Sequence, residues 1–425
     1  MPNEKRSVLI LGTRGVPAAH GGFETFAERL ALFLAGRGWD VGVYCQEDVA
    51  RGREGIATGT WRGVERIVVS VAARGPVATL LFDWRCVRHA AARDAVCLVL
   101  GYNGAVFLPF LRLYRRRIVT NMYGIEWRRR KWGPLVKAWF WVNEWIAAWT
   151  SQRLVADHPA IADHLATRRP RTAGVTIPYG ADIVTEAPVA PVAGLGLSPG
   201  SYVISIARIE PDNSILAMVE AFSRKPRGAR LVVLGTLDDS QPYHRAIRAA
   251  ASQEVLFPGA IYEADTVRAL RFHARAYLHG HMVGGTNPSL VEALAAGNAV
   301  IAHDNPFNRW TAGAAGRYFA DADGCERLIE ATLADERPPE AVRAVAHAEA
   351  ARFDWTEILE AYEAELLAQL RPSGRRPRAA APGEPARLGP VPEHPAPAAT
   401  PAGGPRSSPA KTAESGSVDT PLSSA

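Results

Sequence analysis

The chain has 425 residues, 48% of them hydrophobic, with a formal net charge of +6. That much apolar material furnishes two cores and excludes a wholly disordered protein. Its four cysteines, Cys45, Cys86, Cys97 and Cys325, show neither C-x-x-C nor His-Cys spacing, so neither a disulfide framework nor a zinc site is expected. The positive balance suits an anionic partner, but no nucleic-acid motif accompanies it. The opening apolar run, SVLILG, is too short for a signal core or a membrane span, which predicts a cytoplasmic protein.

In chain order, SVLILG reads as a buried strand, followed by a helix in GGFETFAERLALFLAGRG and strands in WDVGVYC, AVCLVLG and RRIVTNMYG. A second series begins at Ser201: SYVISIARIE, a helix over about 214–222, ARLVVLG, a helix around 243–252, VLFPG, RAYLHGH, a short helix and NAVIAHD. Alternating strands and helices predict α/β architecture with two doubly wound parallel domains, 1–182 and 183–371. VTIPYGADIVTEAPVAPVAG joins them as a Pro- and Gly-rich hinge. FDWTEILEAYEAELLAQL is an amphipathic terminal helix able to pack back on the first domain. From 372 to 425 the chain is rich in Pro, Ala and Ser, with too little apolar surface to offset ordering, and is predicted to be disordered.

In open parallel sheets, ligands collect beyond the carboxyl ends of the strands. After the first strand comes G-T-R-G-V-P-A-A-H-G-G-F-E, in which Gly12, Gly15, Gly21 and Gly22 permit close backbone approach, Arg14 and His20 add polar groups, and a helix N-terminus follows. The spacing is not G-x-G-x-x-G, which removes the main support for a nicotinamide enzyme. Arg208 ends the first strand of the second series, where its planar fork can hold a diphosphate or pair with Glu210 or Asp212. In V-G-G-T-N-P-S-L-V-E-A-L-A-A-G, Asn287 is a good N-cap, Pro288 fits the first helical position and Gly297 suits the C-terminal cap. Leu290, Leu294 and Gly297 then share a core face, and Glu292 turns elsewhere. Free N–H groups near Ser289 and Leu290 can hold phosphate, and Glu292, roughly 6 Å further along at ~1.5 Å per residue, is placed to accept ribose hydroxyls.

These stretches, together with YGIEWRRRKWG, IPYGAD, ARIEPDN and HGHMVGGTNPSLVEALAAGNAVIAHDNPFNR, resemble bacterial retaining glycosyltransferases of family 4, in particular the rhamnosyltransferase-like subfamily of surface polysaccharide assembly. The resemblance spans residues 7 to about 370. It implies a GT-B fold: two facing Rossmann-like domains, a nucleotide sugar held mainly by the C-terminal one, an acceptor mainly by the N-terminal one, and reaction in the cleft between. It also implies that Arg208 stabilises the donor diphosphate and Glu292 binds the ribose. The chain departs from the wider family twice. Asn213 stands where a lysine is usual, and Gly284, with Gly285 and Thr286 beside it, stands where a glutamate is usual. Leaving-group support from Arg14 or from the backbone of the Gly12–Gly22 loop is expected to compensate. Tyr123 occupies a place where close relatives are expected to carry aspartate.

Cleavage of a sugar–phosphate bond places negative charge on the diphosphate, which helix N-termini and arginine stabilise directly, so neither a metal nor a cofactor is required. Glu126, His279 and His281 are the candidates for positioning acceptor or donor hydroxyls, although two histidines at alternate strand positions also share a face for packing reasons alone. Residues 111–149 interleave basic residues with tryptophans, as suits the headgroup layer of an anionic membrane or the wet face of a core helix. The expected partners are therefore a nucleotide sugar, a lipid-linked glycan acceptor and the inner face of the plasma membrane, with no nucleic acid. The expected donor is dTDP-L-rhamnose. A UDP- or GDP-hexose donor and an inactive assembly subunit are the alternatives.

Overall fold

The computed structural model describes residues 6–18, 21–50 and 52–370. The 372–425 stretch and His20 lie outside the described residues. Two sheets organise the chain. The first contains β1 (Ser7–Leu11), β2 (Asp40–Asp48), β3 (Gly55–Trp61), β4 (Val64–Val71), β5 (Val96–Leu100), β6 (Arg117–Asn121), β7 (Arg153–Ala156) and β8 (Gly174–Thr176), in the order β3-β4-β2-β1-β5-β6-β7-β8. The second contains β9 (Tyr202–Ile206), β10 (Arg230–Leu234), β11 (Val255–Gly259), β12 (Ala276–His279), β13 (Ala299–His303) and β14 (Gly316–Phe319), in the order β11-β10-β9-β12-β13-β14.

Strands β1 and β5 are buried at every residue. Helices cover both faces of a parallel sheet, so a continuous apolar run replaces the usual alternation. The sequence reading passed over the hairpin of β3 and β4, which pair antiparallel. Arg62 and Gly63, with φ of 49° and 84°, form its two-residue turn, a backbone whose twist matches that of the flanking strands. Strand β3 is almost wholly exposed and lacks an apolar face, which is why periodicity does not reveal it.

Helix α1 (Gly22–Gly36) lies against β2, α2 (Gly75–Ala91) against β4, and α3 (Leu108–Leu113) and α4 (Pro134–Thr150) against one another. The closing helix, Trp355–Leu370, leaves the second sheet and packs Trp355, Ile358, Leu359, Tyr362 and Leu366 into the apolar layer of β1, β2 and α1. Each such side chain contributes roughly 1.5–3 kcal/mol relative to exposure, as an upper estimate. The Asn121 amide donates to the Tyr362 hydroxyl at 2.6 Å, and the Trp39 indole donates to Glu363 at 2.9 Å. The helix thus ties the second half of the chain to the first and keeps the cleft walls facing each other.

Candidate active site

The order of the second sheet reverses between β9 and β12, so the segments leaving these strands diverge and open a crevice at their carboxyl ends. After β9 the chain passes Arg208 and makes a short turn, Pro211–Asn213. After β12 it passes His281 and Gly284 before the Pro288–Ala295 helix. Asn213 joins the two segments. Its amide nitrogen donates to the Arg208 carbonyl at 2.7 Å, and its Oδ1 lies 2.7 Å from His281 Nδ1. With the nitrogen so engaged, Oδ1 must accept, which assigns the proton to Nδ1 and leaves Nε2 as a hydrogen-bond acceptor. Burial, then nearby His279, Arg129 and Arg208, hold this imidazole well below its ordinary pKa. It is a neutral acceptor among cations.

The N-terminal sheet supplies the facing wall. Asn121 ends β6, Asp157 follows β7, and a cavity of about 260 Å³ lies between these residues and Arg129, Arg208, His281 and Gly285. Burial pushes the Asp157 carboxyl well above the usual carboxylate range. The Thr286 hydroxyl donates to the Asp157 carbonyl across the cleft. Lys131 pairs with Glu210 at 3.1 Å, also across it.

Arg208 itself lies 3.5 Å from Glu210 with an exposed side chain, so it is held loosely and remains available at the cavity wall. The N-cap is formed as expected: Asn287 Oδ1 accepts from the Ser289 N–H at 3.0 Å. That cap moves the anion donors. The N–H groups of Ser289 and Leu290, assigned to phosphate from the sequence, both bond Asn287 in the structure, whereas among the described residues those of Gly284, Gly285 and Asn287 meet no protein acceptor. The Ser289 hydroxyl is likewise engaged, within 3.1 Å of the Ile206 carbonyl and 2.6 Å of Tyr277. Glu292 turns away from the core, as its register predicts, and pairs with Arg271 at 2.7 Å.

Glu126 is corrected more sharply. It is 6% exposed, and its carboxylate accepts from Arg129 Nε at 2.7 Å and from the Trp132 indole at 3.4 Å. It stands behind the wall and holds Arg129, whose Nη1 is buried without a partner. Arg129 was lost within a basic run read as membrane-facing. The glycine loop is also divided. Gly22 lies on the cleft, where a Cβ would come 2.8 Å from Pro288 Cγ. A Cβ on Gly21 would meet only Glu24, at 3.2 Å. Gly12 and Arg14 open on a second cavity, toward β5 and α2, and Gly15 faces Cys45. Arg14 is therefore not brought to Arg208, because the loop turns back over β1. His279 is buried behind His281, and its burial lowers its pKa to about 3.

Residues 197–346 match the family model for glycosyl transferases group 1, and residues 5–182 match a domain of unknown function, DUF1972. Residues 197–346 thus resemble a group 1 glycosyltransferase domain, and the chain has a GT-B fold. Among solved structures it is similar to sucrose-phosphate synthase from Thermosynechococcus elongatus, at 17% identity over 86% of this chain and 99% of that one, TM-score 0.69. It is also similar to HepE from Anabaena in complex with UDP and glucose, at 17% identity over 85% and 100%, TM-score 0.67. The α,α-trehalose 6-phosphate synthase from Burkholderia multivorans matches at 14% identity over 88% and 99%, TM-score 0.65. No curated protein matches the chain.

In this GT-B chain, sequence reasoning missed Arg129, Asp157 and Arg271. Asp157 had a usable signal, a carboxylate directly after the strand RLVA. Arg271 had none, since only the fold places its helix, Ala264–Phe272, beside Glu292. Tyr123 edges the cleft cavity, and its ring meets Phe23 edge-on at 4.8 Å.

Proposed function

We propose that the chain is a retaining glycosyltransferase that moves a hexosyl group from a nucleotide sugar to a lipid-linked oligosaccharide in surface polysaccharide synthesis, with dTDP-L-rhamnose as donor. The observation that carries this reading is the convergence, in the cleft of a chain with a group 1 domain, of two guanidinium groups, Arg129 and Arg208, with the free N–H groups of Gly284, Gly285 and Asn287. Preorganised donors aimed at a leaving diphosphate lower the barrier to sugar–phosphate cleavage without needing to reorient. Glu292, further along the same helix, is the ribose group in this reading, and Arg271 orients it. UDP as the nucleotide is the second reading, favoured by the HepE complex with UDP and glucose. Thermal-shift titration with dTDP, UDP and GDP, followed by transfer or hydrolysis assays on the matching nucleotide sugars, separates the two. Absence of binding to all three nucleotides overturns both.

Membrane attachment belongs to the same proposal. No helix among the described residues is long and apolar enough to cross a membrane. Helix α4 buries Phe140, Asn143, Glu144, Ala147 and Ala148 and exposes large apolar side chains on its outer face: Leu135 is 88% exposed and Trp149 61%. Trp139, Trp141, Val142 and, from the adjoining segment, Leu113 and Tyr114 join this exposed face. Arg112, Arg115 and Arg128 are exposed on the same segments. Apolar side chains beside cations fit an anionic lipid surface. Flotation with phosphatidylglycerol-containing vesicles is expected to carry the protein and to fail for Leu135→Glu/Trp149→Ala. Release by about 0.5 M salt is expected to be partial, because only the charge attraction is screened. Arg129 is left in place in such variants because it lines the cleft. Equal flotation of the Arg112→Glu/Arg115→Glu/Arg128→Glu variant would count against the surface.

A further inference from the structure

Strands β6 and β7 lie side by side, with Asn121 opposite Val155, and each brings a polar side chain to the cleft cavity: Asn121 at the end of β6 and Asp157 directly after β7. The Oδ1 atom of each is buried without a hydrogen-bond partner. Among the described residues that line the cavity, Asp157 is the one acid, and Arg129 and Arg208 are the permanent cations. Neither cation pairs with it: Arg129 is held by Glu126 at 2.7 Å, and Arg208 lies 3.5 Å from Glu210. No charge therefore offsets the burial of the Asp157 carboxyl, which pushes its pKa upward against only the backbone N–H groups of Asp157 and Thr286. An acceptor buried in this way is costly until a donor reaches it.

The place of the carboxyl narrows what that donor can be. It lies against the Cα of Gly285, leaving no space for a Cβ there, and the Thr286 hydroxyl ties the Asp157 carbonyl to the same turn. That turn presents the free N–H groups of Gly284, Gly285 and Asn287, and Arg129 Nη1, also buried without a partner, belongs to a residue of the same cavity wall. Unfilled donors and unfilled acceptors thus adjoin within one space of about 260 Å³. An anion satisfies the donors and hydroxyl groups satisfy the acceptors, so the complementary ligand carries both close together: a phosphate bonded to an uncharged sugar. Hydroxyls that reach Asp157 from so near the anion belong to the ring bonded to it rather than to a second sugar.

We propose that Asp157, with Asn121 beside it, reads the hydroxyl groups of the sugar being transferred, so that residues of the first sheet select the donor sugar across the cleft from the segments that hold its diphosphate. This assignment rests on the transferase reading above and adds to it the residues that choose the sugar. Isothermal titration of the full chain with dTDP against dTDP-L-rhamnose, and with UDP against UDP-glucose, tests it. Asp157→Ala is expected to weaken the nucleotide sugar about tenfold, the loss of one strong hydrogen bond, while the bare nucleotide shifts by less than about twofold. Monodeoxy analogues of the two nucleotide sugars keep the test valid on the wild type if the variant fails to fold. At least one analogue is expected to bind about tenfold more weakly than its parent, and to lose nothing further in Asp157→Ala. Equal loss of bare nucleotide and nucleotide sugar in Asp157→Ala would make the carboxyl a prop of the Gly284–Gly285 turn and overturn the assignment. So would unchanged nucleotide-sugar affinity in that variant, or full tolerance of every monodeoxy analogue by the wild type. Failure of the transferase reading is seen separately: no nucleotide binds at all, and this assignment falls with it.

Discussion

Glu292→Ala is expected to cost the protein about 2 kcal/mol of stability and its nucleotide about 100-fold of affinity, for two separate reasons. Arg271 is 7% exposed, and its Nε has no partner. Removing its carboxylate leaves a buried cation uncompensated, which costs about 3–5 kcal/mol when both groups are fully buried. Glu292 has a side-chain exposure of 36%, so solvent screening reduces the loss to about 2 kcal/mol. The affinity loss comes from ribose hydroxyls that no longer find an anionic acceptor, and charged hydrogen bonds of this kind contribute about 1.5–3 kcal/mol each. Urea denaturation reads the first effect and isothermal titration with dTDP or UDP the second. In the Arg271→Met/Glu292→Ala double variant, stability is expected to return and affinity is not. If nucleotide affinity returned with stability, Glu292 would be a structural partner of Arg271 and the ribose role would fall.

Gly284→Glu, which restores the wider family's residue, is expected to destabilise the chain and suppress turnover rather than improve it. A Cβ at this position would stand 2.5 Å from His281 Nε2 and 3.1 Å from its Cδ2. The ring would have to leave, taking with it the 2.7 Å contact to Asn213. Overpacking together with one lost buried hydrogen bond predicts about 2 kcal/mol. Asn213→Lys is expected to be harmful as well, because Asn213 is 5% exposed and a cation there would face an imidazole already among arginines. The two departures from the family pattern therefore form one arrangement: a single neutral imidazole occupies the space between them, accepted by Asn213 and admitted by Gly284. In a His281→Ala background, Asn213→Lys and Gly284→Glu are expected to couple favourably by at least about 1 kcal/mol in a double-mutant cycle. Additivity within about 0.5 kcal/mol would show the positions to be independent.

Much of this was legible locally. The Pro288–Ala295 helix begins at an Asn287 cap and ends before Gly297 at φ 80°, and each of these choices is made by chemistry within one turn. The continuous apolar runs of β1, β5 and β9 likewise reported strands covered on both faces. The β3–β4 hairpin was not legible, because an exposed edge strand has no core to impose a period. Glu126 was misread for a related reason: Y-G-I-E-W places a carboxylate after a strand without saying which side of the wall it takes.

What the sequence by itself determined was the succession of elements, their caps, and the residue types gathered at the carboxyl ends of the strands, since these depend on neighbours within a few residues. Only the tertiary structure decided which arginine of a basic run reaches the cleft and which carboxylate merely holds it. It alone also divided the glycine loop between two cavities and brought Arg271 beneath Glu292. Those outcomes depend on how two sheets, tied together by the closing helix, approach each other; side chains hundreds of residues apart then compete for the same partners, and no local period encodes that competition.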